Sequence, residues 1–317
     1  MRPIRLIPDN TKIRFMWLRR YNFPASAALA VLSVILFIFI GPQYGIDFRG
    51  GTLVEIKTAE QPADIGAIRA TMTRLDVGEV QVQEVTEFGG EKFVLIRIQQ
   101  QPGGDEAQQE VVVKLRQAFG DTVEFRRVEV VGPRVSGELA TKGTVALLVT
   151  LAAIMVYVWF RFEWQFSVGA IIATVHDVLL TLGFFVVAKL DFNLASIAAI
   201  LTIVGYSLND TVVVYDRIRE NLRKYKKMPI TEILDRSINE TLARTTMTSF
   251  TTLLALLALF FFGGQVIRAF VAAMIFGVVI GTYSSIYIAA PVLIYFKLRP
   301  GRAEDVEAEA VETAGKV

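Results

Sequence analysis

Two aspartates, Asp177 and Asp210, interrupt long apolar stretches of the sequence. A charged side chain at the centre of a membrane-spanning helix costs at least about 2.5–3.5 kcal/mol, so a residue of this kind is a functional candidate by default. Asp210 lies six residues before Asp216, where the charged sequence begins, and therefore about 9 Å from that end of a helix. This depth suits a group that binds a proton or a cation inside a membrane.

Arg244 is the candidate partner of Asp210 because it opens the next long apolar stretch from the same side. Thr248, Thr251 and Thr252 follow it at helical spacing and predict a polar stripe. Because arginine stays charged, a motion that changes its distance from the carboxylate would let Asp210 take up and release a proton. The sequence leaves open the alternative of a static ion pair, or of an arginine that reaches water while Asp210 is hydrated.

A second candidate pair for ion coupling consists of the chain's only histidine, His176, and the adjacent Asp177. Ser207 and Asn209, in the segment around Asp210, are further candidates. The alternative is that these groups only form hydrogen bonds within the helix packing. The sequence favours that alternative for His176, whereas for Asp177 neither interpretation prevails.

The composition excludes several other kinds of site. The chain has no cysteine, which rules out disulfides, thiolate metal sites and a cysteine nucleophile. Its 33 basic and 31 acidic residues do not favour binding of nucleic acid by bulk charge. The sequence also has no glycine-rich nucleotide loop and no acid pair spaced as in a metal site. We therefore expect no enzyme, and no cofactor other than a coupling ion.

Hydropathy predicts an α-helical membrane protein with six transmembrane helices. Residues 23–40 follow a basic start but precede no signal-peptide cleavage site, so we expect a retained helix there. Five further apolar stretches are each near or above the length of about 20 residues that crosses a bilayer. They lie at 139–160, 165–188, 193–214, 246–263 and 266–296.

The charges of the connecting segments predict the orientation of these helices. Residues 1–22 hold six basic residues and one acid, which places this N-terminus in the cytoplasm by the positive-inside rule. The loop at 215–244 falls on the same side, with eight basic residues against five acids. Segment 42–138 falls on the far side, with eleven basic against sixteen acidic residues. The remaining expected parts are a first helix at 23–41, helices two to six within 139–296, and a disordered cytoplasmic tail at 297–317.

Segment 42–138 has 97 residues, which is enough for one small domain. Its hydrophobic periodicity follows the order β-α-β-β-α-β, which predicts a ferredoxin-like external domain. Such a fold hosts many functions and identifies none of them. On the opposite side, apolar residues at helical spacing in 229–244 predict an amphipathic helix lying on the cytoplasmic membrane surface.

Two long motifs resemble those of a known family. Residues 205–221, GYSLNDTVVVYDRIREN, close the fourth predicted helix, and residues 45–52, GIDFRGGT, follow the first. The charged and paired glycine residues of the motif after helix one are Asp47, Arg49, Gly50 and Gly51. Over nearly the whole chain the sequence resembles the SecF family of bacterial protein-export membrane proteins, which belongs to the resistance–nodulation–division (RND) superfamily.

The resemblance implies a half-transporter that joins SecD in the bacterial inner membrane, with both termini cytoplasmic. It implies that the complex uses the proton-motive force to assist preprotein translocation through the SecYEG channel and release at the periplasmic side. Asp210 and Arg244 match the positions that the family associates with ion coupling. Nothing in the sequence separates H⁺ from Na⁺ as the coupling ion. The implied partners are therefore SecD, SecYEG, preproteins and membrane lipids, without nucleic acid.

Two alternatives remain open from the residues alone. A non-transporting scaffold for the translocase would use the buried charges only to fix helix packing, and Asp210→Asn would leave its activity intact. Half of a small-molecule exporter would share the same architecture. Segment 42–138 is small for a domain that binds drugs, which counts against the exporter.

Overall fold

In the computed structural model of the chain, the described residues are 8, 11–58, 63–86, 90–264, 266–296 and 298, and the side chain of Asp121 is also left undescribed. Nearly all of the tail expected at 297–317 lies outside these residues, as does most of the chain before Thr11. The predictions for these two ends therefore stay predictions.

The first long helix, α1, spans Arg19–Phe39 and contains no charged residue after Arg20. Most of its side chains are exposed, as expected for a helix at the edge of a membrane bundle. A short connection follows, with strand β1 at Gln43–Tyr44 and one helical turn, α2, at Ile46–Arg49.

The αβ segment, defined as residues 43–131, continues in the predicted order β-α-β-β-α-β. Its further elements are β2 (Gly51–Thr58), α3 (Ile65–Arg74), β3 (Val80–Thr86), β4 (Lys92–Ile98), α4 (Gly104–Phe119) and β5 (Val123–Val131). The strands form an antiparallel sheet in the order β3-β4-β2-β5. Alternate strand residues such as Val54, Ile56 and Ile96 point to one face, where they pack with Met72 of α3 and Leu115 of α4.

The rest of the chain is almost entirely helical. Its elements are α5 (Pro133–Arg161), α6 (Trp164–Val187), the short strand β6 (Asp191–Phe192), α7 (Leu194–Lys224), α8 (Ile230–Phe262) and α9 (Arg268–Ser284). The helix α9 continues through a π-helical segment, Ser285–Ala289, into the short α10, Ala290–Val292. Within the described part of the chain, six helices are long and apolar enough to cross a membrane, which confirms the predicted helical membrane fold.

Some helix ends differ from those expected. The helix α5 begins at Pro133 rather than at 139, because proline is well accommodated in the first turn of a helix. The helices α7 and α8 occupy most of the loop expected at 215–244 and leave only 225–229 between them. Residues 229–244 are therefore not a separate surface helix, since no glycine or proline interrupts α8.

The helices α6, α7 and α9 form the centre of the bundle, and about half of each is buried, whereas α1, α5 and α8 are mostly exposed. Glycines allow α7 and α9 to approach closely. A Cβ atom added to Gly281 would lie 2.9 Å from Cβ of Ser207, and one added to Gly277 would lie 2.3 Å from Cγ1 of Ile203. The polar face of α7 that carries Ser207 is therefore held against α9.

Candidate ion-coupling site

Asp210 lies on α7 with only 3% of its surface exposed. Its Oδ2 atom is buried and has no hydrogen-bond partner among the described residues. A carboxylate in apolar surroundings loses its hydration and needs a proton, a cation or a hydrogen-bond donor in exchange. Asp210 therefore has the burial and the free oxygen that an ion-binding group inside a membrane needs.

The neighbouring helix α8 places a hydroxyl at the level of Asp210. Three side-chain hydrogen bonds fix the register of these antiparallel helices: Tyr206 to Ser249 (3.4 Å), Arg217 to Glu240 (2.7 Å) and Asn221 to Ser237 (2.9 Å). Residue numbers rise along α7 and fall along α8, so the first two pairs place Asp210 opposite Thr245. The Oγ1 atom of Thr245 is also buried without a hydrogen-bond partner among the described residues. An unpartnered carboxylate oxygen and an unpartnered hydroxyl therefore lie at one level of the bundle.

Arg244 lies next to Thr245 in the chain, but its side chain is exposed. Among the ion pairs between described residues, none joins Arg244 to Asp210 within 4.0 Å, although the guanidinium is near enough to act electrostatically on the carboxylate. The sequence thus predicted the shared level of the two residues, and the structure adds that they are not in contact. A change in their separation is therefore compatible with the fold.

The first two residues of the polar stripe expected at Thr248, Thr251 and Thr252 form no hydrogen bond with Asp210 in the described part of the chain. The hydroxyls of Thr248 and Thr251 donate to backbone carbonyls of α8 itself. The polar face of α8 that meets the bundle is instead a repeat of hydroxyl residues every four positions: Ser237, Thr241, Thr245 and Ser249. That spacing is the sequence signal that identifies the buried face of α8.

Asp177 lies in the centre of the bundle and is completely buried. Its Oδ2 atom accepts hydrogen bonds from Ser207 on α7 at 2.5 Å and from Ser284 on α9 at 2.7 Å. Its Oδ1 atom lies 3.0 Å from Nδ1 of His176. The structure thus brings together Asp177, His176 and Ser207 of the predicted candidates and adds Ser284. Asn209 is exposed and takes no part in these hydrogen bonds between described residues.

The two aspartates are linked through one helix. Ser207, which donates to Asp177, lies three residues before Asp210 on α7 and hence on the same face. One residue further, Thr211 forms a 3.0 Å hydrogen bond with Ser285, where the π-helical segment begins. Such π-helical turns occur frequently at functional sites. The polar positions of α7 therefore connect both carboxylates with the irregular part of the last long helix.

The motif after helix one has a structural role. The Oδ2 atom of Asp47 accepts a hydrogen bond of 2.9 Å from the backbone N–H of Leu194, at the start of α7. Gly51 has φ +121°, and a Cβ atom there would lie 2.4 Å from the carbonyl oxygen of Ile98 in β4. Only glycine fits that position. This motif therefore joins the αβ segment to α7.

Other contacts also connect the αβ segment with the region just before α7. Arg97 on β4 forms an ion pair of 2.6 Å with Asp191 on β6, and β6 pairs in parallel with β1. Within the αβ segment itself, the guanidinium of Arg49 lies 5.4 Å from the ring centroid of Tyr44, a residue of β1. The αβ segment is thus attached to the loop between α6 and α7 through side chains and through the backbone.

Comparisons with known proteins agree with this architecture. A family model described as "Protein export membrane protein SecD/SecF, C-terminal" matches residues 111–299, and one described as "SecD/SecF GG Motif" matches 35–61. The chain is 48% identical to the protein translocase subunit SecF of Rickettsia bellii, over 93% of this chain and 96% of that protein. It is 45% identical to the protein translocase subunit SecDF of Brucella abortus, over 99% of this chain but only 41% of the relative.

The solved structures give the same relationship. A crystal structure of SecDF from Thermus thermophilus, described as a translocon-associated membrane protein, is 36% identical with a TM-score of 0.81. The match covers 94% of this chain and 40% of that one. A crystal structure of SecDF in a super-membrane-facing form is 35% identical with a TM-score of 0.68, over 97% of this chain and 41% of that one. The chain is therefore a multi-pass membrane protein that belongs to the SecF family of protein translocase subunits.

Proposed function

We propose that this chain works with SecD in the bacterial inner membrane and uses the proton-motive force to assist preprotein translocation through SecYEG. In this proposal both termini are cytoplasmic, and the αβ segment acts in the periplasm, where the preprotein is released. The partnership with SecD is supported by relatives in which SecD and SecF form one SecDF chain. The observation that carries the ion-coupled role is the buried carboxylate of Asp210 with its unpartnered oxygen.

Asp210 is the group that binds the transported proton. A proton on Oδ2 removes the negative charge and therefore the attraction that the carboxylate exerts on Arg244 and on the hydroxyl of Thr245. Release of the proton restores that attraction. The two protonation states thus favour different positions of α8 relative to α7, which is how proton passage changes helix packing.

The helix α7 transmits this change to the αβ segment. It carries Asp210 in one half, and its first backbone N–H is bound by Asp47 of the motif after helix one. A rotation or shift of α7 therefore moves the αβ segment, because this hydrogen bond connects the two. One charge crossing a potential of 100 mV supplies about 2.3 kcal/mol. That energy changes the ratio of two conformations by about 50-fold, provided that the motion is tightly coupled to the proton.

Ion flux in reconstituted membranes tests this proposal. The chain is incorporated into proteoliposomes together with SecD, and flux is measured across a pH gradient with and without Na⁺. We expect proton flux in the wild type and its loss in Asp210→Asn. The matched control is Asp216→Asn, because Asp216 lies on the same helix but is half-exposed and pairs with Arg161 and Arg219 at its surface end.

The possible outcomes separate the alternatives. Equal flux in Asp210→Asn and the wild type would contradict the assignment of Asp210. Flux that requires Na⁺ and not the pH gradient would identify sodium as the ion and contradict the proton assignment. If the wild type shows no flux at all while export is still stimulated, the chain is a scaffold rather than a transporter. Efflux of small molecules by the complex would instead favour the exporter.

A further inference from the structure

The pair His176 and Asp177 is a cluster that the mechanism at Asp210 does not use. Both residues lie on α6, Asp177 is completely buried, and His176 is 6% exposed. Ser207 and Ser284 each direct a hydroxyl at Oδ2 of Asp177 from a different helix. Three helices of the bundle therefore converge on one carboxylate.

The second ring nitrogen of the histidine is free. Nε2 of His176 is buried and has no hydrogen-bond partner among the described residues. The parallel helix α1 approaches α6 so closely that a Cβ atom on Gly183 would lie 2.3 Å from Oγ of Ser33. Ser26 and His176 each lie seven residues before this contact in their parallel helices, so they lie at the same level. Oγ of Ser26 lies 2.8 Å from the hydroxyl of Tyr283, whose ring centroid is 6.3 Å from that of His176.

The hydrogen bonds determine where a proton added to this pair is found. Without it, Asp177 is a carboxylate, Nδ1–H of His176 donates to Oδ1, and Nε2 is bare. An added proton gives either an imidazolium beside the carboxylate, or a carboxylic acid that donates to Nδ1 of the other imidazole tautomer. In both arrangements Nε2 carries a hydrogen, since Ser207 and Ser284 donate to Oδ2 and the contact from Ser284 to Oδ2, at 2.7 Å, is shorter than its 3.1 Å contact to the carbonyl of Gly281.

Few other charges face this pair. On the helices packed against α6, the titratable groups directed at the bundle interior are Arg19 at the start of α1, Asp210, Tyr206 and Tyr215 on α7, Tyr283 on α9 and Tyr287 in the π-helical segment. Residues 22–39 of α1 and 143–160 of α5 contain no acidic or basic side chain. The pair without its added proton thus carries one negative charge in a region poor in cations, which favours binding of a proton.

We propose that His176 and Asp177 form a second proton-binding site of the bundle, in which Nε2 of His176 gains the hydrogen and Asp177 balances its charge. This inference deepens the proposed function, since it adds a site one helical turn from Asp210. Ser207 and Ser284 connect this site to α7 and α9, because both donate to the carboxylate that lies beside the protonated ring. Ser207 lies between the two sites on the same face of α7.

The single histidine makes a direct test possible. The full chain is purified with an affinity tag that contains no histidine, labelled with ¹⁵N-histidine, and assembled with unlabelled SecD in lipid nanodiscs. The spectrum then contains one pair of ring-nitrogen signals. We expect Nδ1 to carry a hydrogen at high pH and Nε2 to gain one as the pH is lowered.

Two variants link this transition to the carboxylate. In Asp177→Asn no negative charge balances the imidazolium, so the ring-nitrogen signals should show no such transition. Ser284→Ala removes one donor to Oδ2 with little change in volume. It should displace the midpoint pH of the Nε2 transition by about one unit, because hydrogen bonds to charged groups are strong. This second variant keeps the test decisive if Asp177→Asn does not fold.

An Nε2 that stays bare at every pH contradicts the proposal, as does a transition that neither variant changes. Failure of this site and failure of the proposed function are distinguishable. If Nε2 never titrates while proton flux through Asp210 persists, only the second site is wrong. If Nε2 titrates as expected in a complex that conducts no protons, only the transport function is wrong.

Discussion

Replacement of Gly51 by alanine tests the close contact between strands β2 and β4. The backbone at Gly51 has φ +121°, a conformation that costs a residue with a Cβ atom about 1–3 kcal/mol. The new Cβ atom would also lie 2.4 Å from the carbonyl oxygen of Ile98, part of the β4 backbone, so a strand must shift. Overpacking of this kind costs a further amount of about 1–3 kcal/mol.

The total for Gly51→Ala is at least about 2 kcal/mol, which corresponds to about 30-fold more frequent opening of the sheet. Hydrogen exchange followed by mass spectrometry measures this opening at the amides of β2 and β4. Gly120→Ala is the matched control, because Gly120 also has positive φ, at 51°, but a Cβ atom added to it would meet nothing within 4 Å among the described residues. The control carries the backbone strain without the collision.

We expect exchange in β2 and β4 to accelerate far more in Gly51→Ala than in Gly120→Ala. Equal protection of β2 and β4 in the wild type and Gly51→Ala would refute the reasoning, because it would mean that the two strands do not approach as closely as the structure has them.

Two further substitutions test individual contacts. Tyr215→Phe removes the 3.0 Å hydrogen bond that the buried tyrosine hydroxyl donates to the carbonyl of Ala289. This change should lower the free energy of unfolding in detergent by about 1–3 kcal/mol, whereas Tyr295→Phe, at an exposed position, should not lower it. Equal stability of the two variants would contradict this expectation. The hydrogen bond and charge of Lys57 lower the pKa of Glu91 below 4.5, so the pair stabilises the fold above that pH and loses its effect as the pH falls through the lowered value. In Lys57→Ala the pKa of Glu91, followed by NMR, should return towards 4.5, and an unchanged value would show that another group lowers it.

The sequence predicts the helical membrane fold because six apolar stretches leave few alternatives. It does not predict where α7 and α8 end. Hydropathy reports which residues suit a lipid environment, whereas a helix continues wherever no residue breaks its hydrogen bonds. The charged residues at 215–224 and 230–244 are good helix formers without glycine or proline, so both helices extend beyond their apolar parts.

The sequence predicts only part of the candidate site. Asp177 and Asp210 stand out because charges are rare in apolar stretches, and both proved to be buried. Ser284 and Thr245 could not be singled out, since one hydroxyl residue in a membrane helix is common and carries no signal by itself. Which hydroxyls face a carboxylate depends on helix register and rotation. Those are set by close contacts such as that between Gly281 and Ser207.

The position of Arg244 illustrates the same limit. Its position at the start of an apolar stretch predicted a depth similar to that of Asp210, but the apolar pattern of α8 did not indicate that its side chain is exposed on the bundle. Exposure leaves the guanidinium free to change its distance from the carboxylate.

Preprotein translocation into membrane vesicles tests the proposed proton-driven export through Asp210. Translocation is measured with the SecD complex of the wild type and of Asp210→Asn, with the proton gradient present and then collapsed. We predict that the gradient stimulates translocation in the wild type, and that Asp210→Asn gives the same low rate with and without it. Full stimulation by the gradient in Asp210→Asn would contradict the claim.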